Sequence, residues 1–380
     1  MAKRVLKTRL CDMLGIEYPI LNAGMGKSPG IIGAAGVNLT AAVSNAGGLG
    51  VLGATNLQPD ELRTKIKEVR KLTNKPFGVD TIAPAPKSLV PTGGTSEGIM
   101  GKLEKDYPEQ VALIGKLRKE FGIPSPAREE ETNAFQPSLT QAQLDVILQE
   151  KVGIVAFGLG ASKELIDQCH HAGAKVICLV GNAKNAVRQA EIGADIIIAQ
   201  GYEGGGHTGR VGSLVLLPLV VDAVKPLPVL AAGGIADGRG LLAALAFGAV
   251  GVWVGTRFEA TKESDNTDGQ RQNILGMTEE DTIVTRVWSG KTCRGIRHPF
   301  AEAWEKSGLP YLKMPLQSLL WWGTMKKIEE TGREDLMRTS CGQAVGLIKE
   351  IKSAKQVVDD MVEEAVTILK KKFPSELKIA

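Results

Sequence analysis

The chain carries little net charge: 46 basic residues against 42 acidic leave +4 over 380 positions. So slight an excess does not point to nucleic acid. The one dense basic run, Lys370 to Lys372, reads as the solvated end of a helical tail. Cysteines are few and lack pairing in their spacing. They stand at 11, 169, 178, 293 and 341, an odd count with no CxxC pair. That speaks against a zinc site or a disulfide framework and leaves no metal to expect. Reduced thiols in a cytoplasmic protein fit instead. Long apolar runs are missing as well. The N-terminal stretch MAKRVLKTRLCDMLG has no apolar core of signal-peptide length. The greasiest segment, Val211 to Val224, is interrupted by Ser213, Pro218 and Asp222 and is too short to span a bilayer. Neither secretion nor membrane insertion is expected.

What the chain has is rhythm. With 43% hydrophobic and 23% charged residues it is an ordinary globular composition, long enough for one large core. Short runs rich in Val, Ile and Leu recur at Pro19–Ala23, Gly50–Gly53, Phe77–Asp80, Gly153–Phe157, Lys175–Leu179, Asp195–Ala199, Pro228–Ala232 and Val250–Gly255. Helical patterns follow at Ile31–Asn45, Pro59–Leu72, Ser162–Ala172, Ala183–Ile192, Ser213–Val224 and Gly238–Phe247. Strands without in/out alternation, separated by helices, imply a parallel sheet covered by helices. Eight such units close into an α/β (β/α)₈ TIM barrel over residues 1–258, with a doubly wound open sheet as the alternative.

Two stretches break this rhythm. Residues 84–140 follow the third strand and carry Pro84, Pro86, Pro91, Pro108, Pro124, Pro126 and Pro137. They include a helical piece, Gly101–Phe121. A loop so long reads either as a lid over the barrel mouth or as decoration. Residues 259–380 read as a mainly helical cap packed on the barrel.

Three glycine-rich motifs carry chemistry. In AAGGIADGRGLLAALAFGAVGVWVGTRF, residues 231–258, paired glycine loops end two consecutive strands, where a barrel of this class holds a phosphate. In QGYEGGGHTGR, residues 200–210, three glycines frame His207, one of only four histidines. A bare backbone there can lie against a flat ring, with the imidazole as general base, hydrogen-bond donor to a developing anion, or both. His170 and His171 end a helix and read as surface residues, and His298 has no assigned role. In NAGMGKS, residues 22–28, small residues again permit close approach of a ligand. This segment lacks the first glycine of a Walker A loop, and Gly48, Gly50 and Gly53 precede and enter a strand instead of following one, so neither is a nucleotide loop.

Together, PILNAGMG, SNAGGLGVLG, QGYEGGGHTG, AAGGIADG, VGTRF and SCGQAVGLI resemble the nitronate monooxygenase (2-nitropropane dioxygenase) family of FMN barrels, in family order. That family also includes flavin enoyl-acyl carrier protein reductases and CoA-thioester reductases. The resemblance implies that Ala23, Gly24 and Met25 lie along the flavin and that Gln200 hydrogen-bonds its ring. It further implies Gly205 and Gly206 beside the ring and ribityl chain, Gly234, Gly255 and Thr256 at the phosphate, and His207 as the catalytic histidine. Asp80 departs from the family's usual asparagine: it keeps an acceptor, loses an amide donor and brings a negative charge towards the FMN.

Two functions follow from the resemblance. One is oxidation of a small alkyl nitronate with dioxygen to a carbonyl compound and nitrite. The other is reduction of an enoyl-ACP or CoA thioester with NAD(P)H, for which Lys87, Lys102 and Lys105 would supply a positive mouth. An idle FMN-binding protein is opposed by the intact His207. A homo-oligomer is compatible with either function.

Overall fold

The computed structural model describes residues 6–82, 96–126 and 137–377. Eleven strands are present among them: β1 (Ile20–Asn22), β2 (Gly50–Gly53), β3 (Phe77–Thr81), β4 (Ile154–Phe157), β5 (Lys175–Val180), β6 (Ile196–Gln200), β7 (Gly206–His207), β8 (Val229–Ala232), β9 (Gly251–Val254), β10 (Thr282–Thr285) and β11 (Cys293–Ile296). Eight of these form one parallel sheet in the order β1-β9-β8-β6-β5-β4-β3-β2. The ends meet where Leu49 N donates to Ile20 O at 3.0 Å and Asn22 N to Leu49 O at 3.3 Å. The sheet is thus the expected TIM barrel, and each barrel strand falls within two residues of its sequence reading.

Alternation inside the strands was hidden because both faces are buried. Ile154, Ala156, Ile177, Ile196, Ile198, Leu230, Ala232 and Trp253 fill the barrel interior, closed from below by Leu10, Cys11 and Leu14. Val155, Phe157, Val176, Cys178, Ile197, Ala199, Val229 and Ala231 instead face the helical layer. The period of two then places Asp80, Gln200 and Trp253 on the inner side, at the strands' C-terminal ends. Fold parity, more than loop chemistry, aims these side chains into the mouth.

Two expectations change. The helix expected at Ile31–Asn45 starts at Val37, because Ser28–Ile31 forms a small antiparallel bridge first. The helix expected at Gly101–Phe121 is two helices, Ser96–Asp106 and Pro108–Glu120. Pro108 disfavours helical backbone at the residue before it, and Tyr107 sits at φ −139°. The segment after residue 258 was expected to pack on the barrel. Helix Ala354–Thr367 puts Val357, Val358, Met361 and Val362 into the barrel's outer core and so completes the helical ring.

The stretch from 259 to 353 is less helical than its composition suggested. β10 and β11 form an antiparallel hairpin, and β11 pairs in turn with β7, setting Cys293 opposite His207 and Arg294 opposite Gly206. Beside this sheet lies a second apolar core. Leu103, Ile114 and Leu117 of the insertion meet Phe300, Trp304, Leu320, Trp321 and Ile328 there. The insertion helices therefore buttress helix Leu316–Glu330. Pro84, Pro86, Pro91 and Lys87 fall outside the described residues. Among those described, no helix is long and apolar enough to cross a membrane.

Candidate active site

A cavity of about 290 Å³ opens at the C-terminal ends of the barrel strands. Of the residues singled out from sequence, it gathers Ala23, Gly24, Met25, Asp80, Gln200, Gly205, Gly206 and His207 into one wall. Gly234 and Thr256 are not among the lining residues, and neither is Gly255, although Gly255 abuts the wall. A Cβ built there would stand 3.7 Å from both Ala23 Cβ and Met25 Sδ. Thr256 Oγ1 accepts a 2.9 Å hydrogen bond from Gly342 N. The late SCGQA segment is thereby tied back to the end of β9.

His207 is fixed by its backbone more than by its ring. Gln200 Nε2 donates to the His207 carbonyl at 2.7 Å, and β11 holds the strand edge. The ring's Nε2 lies 2.8 Å from Ser289 Oγ. Desolvation, reinforced by the Lys291 and Arg338 cations, lowers the imidazole pKa to about 4. It is therefore neutral throughout the physiological range. Gly205 is glycine because a Cβ would meet Ser340 O at 2.2 Å, whereas Gly206, at φ +71°, has open space beside it. The three-glycine run thus serves chain packing at one position and an open wall at another.

Burial changes the meaning of Asp80. A Cβ on Gly24 would fall 2.1 Å from Asp80 Cβ, so the first loop presses directly on this carboxyl. Desolvation raises its pKa well above the usual carboxylate range. A carboxyl that keeps its proton is both donor and acceptor, like the amide it replaces. A protonated Asp80 would restore the donor and the neutrality that a bare reading of the residue takes away.

The rest of the wall was not legible as such. Trp253, Trp288, Trp321 and Trp322, four of the chain's five tryptophans, line the cavity with Met314 and Met325. Arg338 lies over the Trp288 ring at 4.3 Å, and burial brings its guanidinium down to about 10. Glu259, 6% exposed, is pushed by desolvation up to about 8. Asp80 Oδ1, Glu259 Oε2, Trp321 Nε1 and Arg338 Nε are buried without a hydrogen-bond partner, four of the five such atoms among the described residues. All four residues line this one cavity. Buried polar atoms are rarely left unpaired, so their concentration here marks a place built for a polar ligand.

The remaining histidines are structural. His298 caps helix Pro299–Ser307, with Nδ1 accepting from Phe300 N at 3.2 Å and Nε2 donating to Leu336 O at 3.0 Å. His170 pairs with Asp195 and His171 with a backbone carbonyl at the surface. Of the insertion's described residues only Leu139 and Thr140 reach the cavity, and Lys102 and Lys105 do not.

The family described as Nitronate monooxygenase matches residues 7–364. The chain belongs to the nitronate monooxygenase family. A "Probable nitronate monooxygenase" of Staphylococcus haemolyticus is 33% identical, covering 95% of this chain and 98% of its own. A Rhodococcus jostii relative named (3aS,4S,5R,7aS)-5-hydroxy-7a-methyl-1-oxo-octahydro-1H-indene-4-carboxyl-CoA dehydrogenase is 31% identical, with 95% and 96% covered. Among solved structures, nitroalkane oxidase from Streptomyces ansochromogenes superposes with TM-score 0.78 at 27% identity, over 95% of this chain and 99% of that one. This member of the nitronate monooxygenase family is accordingly an oxidoreductase.

Proposed function

We propose that the protein binds FMN non-covalently in the 290 Å³ cavity and oxidises alkyl nitronates. The observation that carries the reading is the convergence of four unpaired buried polar groups and a neutral His207 on one cavity. The residues fit the cofactor. Asp80 and Gln200 offer hydrogen bonds at the strand ends, Gly206 leaves open space for a flat ring, and Gly255, which abuts the wall, stands with Gly234 and Thr256 just beyond the lining, where the resemblance would put the phosphate. When bound, FMN would supply the redox centre between nitronate and dioxygen; the net change is addition of one oxygen atom to the nitronate, which leaves as a carbonyl compound and nitrite.

The chain's own groups would do the rest. A nitronate is already an anion, so it needs charge and donors more than a base. Arg338 and Lys291 supply positive potential near His207, and the neutral imidazole supplies an N–H. Ser289, through Nε2, orients the ring. The tryptophans would exclude water from the reacting carbon. The purified protein is expected to be yellow, and denaturation followed by chromatography should release FMN. Recovery of FAD, or a colourless protein that FMN cannot reconstitute, would overturn the assignment.

A second reading is an NAD(P)H-dependent reductase of an enoyl-ACP or CoA thioester. Four tryptophans make a larger apolar wall than a short alkyl nitronate fills, and one relative is named as a CoA-ester dehydrogenase. Anaerobic mixing of the FMN-loaded protein with a nitronate, NADH or NADPH separates the readings by which donor bleaches the flavin.

In either reading Asp80→Asn tests the protonated carboxyl. The variant is expected to retain the flavin and to keep turnover within about tenfold, because it keeps one donor and one acceptor. Asp80→Ala should lose flavin affinity. If Asp80→Asn sheds flavin as readily as Asp80→Ala does, the charge of Asp80 matters and the neutral form is not the working one.

A further inference from the structure

A second cavity, of about 420 Å³, lies beyond His207 and shares Gly158, Leu159, Leu179, Gln200 and His207 with the first. Its wall differs in kind. Arg188, Arg210, Arg286 and Lys291 all line it, and no Asp or Glu is among its lining residues. In a chain with only +4 overall, four unopposed cations around one hollow are a strong local bias.

None of the four is held in an ion pair among the described residues. Arg286 spends its Nε on Gly290 O at 2.9 Å and stacks over Tyr311 at 5.4 Å, leaving its terminal nitrogens free of that bond. Desolvation lowers the Lys291 ammonium from its ordinary value, while the residue as a whole stays exposed to an incoming ligand. Helix Ala183–Glu191 also begins at this wall, with Asn182 as its cap. Its positive end adds to the side-chain charge. Arginines suit phosphate oxygens because the guanidinium fork meets two of them at once.

We infer that this basic cavity receives the diphosphate of a nucleotide-bearing molecule whose reactive end reaches the His207 wall shared with the first cavity. Pyridine nucleotides and coenzyme A esters both carry that diphosphate, attached to adenosine at one end and a reactive group at the other. The inference rests on the second functional reading and gives a position to its anionic handle, one that Lys102 and Lys105 do not line.

The test is equilibrium binding of NADP⁺ and, separately, of coenzyme A to the FMN-loaded full chain, across a salt series. Arg188→Ser/Arg210→Ser removes two surface arginines whose side chains contribute no apolar core. It is expected to weaken at least one of the two probes by about tenfold or more and to flatten the salt dependence. Arg188→Lys/Arg210→Lys should recover part of the loss, which separates lost charge from a damaged fold. Weakening of NADP⁺ alone assigns the cavity to the electron donor. Weakening of coenzyme A alone assigns it to the acyl carrier, and weakening of both gives it to either in turn. If the wild type binds neither probe, or the serine variant binds both within threefold of wild type, the inference is overturned. Turnover of nitronate by the wild type is a separate measurement. Its absence would overturn the first functional reading and leave the binding result standing.

Discussion

Replacing His207 by alanine is expected to cut nitronate turnover by about 10²–10³-fold, the usual cost of one donor aimed at a developing or bound anion. The fold should survive, because the strand β7 pairing and the hydrogen bond from Gln200 use only the backbone of residue 207. Flavin content is expected to stay near the wild-type level for the same reason. An imidazole held near pKa 4 is a weak proton acceptor at neutral pH. The wild type should therefore turn over preformed nitronates far better than the parent nitroalkanes, and the variant should lose ground with both. The pH profile carries a second check. With the folded pKa near 4 and the ring acting as a donor, kcat/KM should show no acid limb near 6.5. A limb at 6.5 that vanishes in the variant would make His207 a base, and full turnover by the variant would remove it from the mechanism.

The second large effect is on stability. Glu259→Gln should stabilise the apo-protein at neutral pH by on the order of 3 kcal/mol. The sign follows from the direction of the shift. The Glu259 carboxyl has a folded pKa of about 8 against 4.5 for the free side chain. Below pH 4.5 both states hold the proton, and burial of a neutral acid costs little. Between 4.5 and 8 the unfolded chain gives the proton up while the native one keeps it, so native stability falls as pH rises. Glutamine is neutral throughout and has no such slope. Urea unfolding midpoints at pH 5 and pH 8 decide the matter: the two proteins should differ little at pH 5 and widely at pH 8. An equal gap at both values would mean the carboxyl is ionised in the native state.

The barrel was legible because parallel strands buried on both faces leave continuous Val, Ile and Leu runs, and helices between them leave a different period. His207 was legible because three glycines beside a rare residue mark close backbone approach, although at Gly205 that approach turns out to be to the chain itself, at Ser340. Other features left weaker traces. β7 is two residues long and exists only by pairing with β11, from a segment 86 residues further along at the Cys293–His207 register. No local pattern reports such a partner. Glu259 was not singled out from the sequence, because nothing local marks a glutamate that the fold buries beside the cavity. Asp80 was read from its chemistry alone as a charge, although its neighbours decide whether it carries one. The SCGQA segment was singled out by resemblance, and its physical role, the bond from Gly342 N to Thr256 Oγ1, came only from the fold.

The helix that completes the barrel's outer ring, Ala354–Thr367, arrives after everything packed over the mouth. During synthesis the eighth strand leaves the ribosome with its natural cover still unmade. Until residue 367 is available, the apolar flank between helices Val37–Asn45 and Gly238–Ala246 has nothing to lie on it. Long-range closure of this kind is slow, and it exposes greasy surface while it waits. The order of the elements thus makes this late helix a quality check: a chain cut before residue 354 keeps every residue proposed for chemistry and loses the piece that seals the scaffold beneath them.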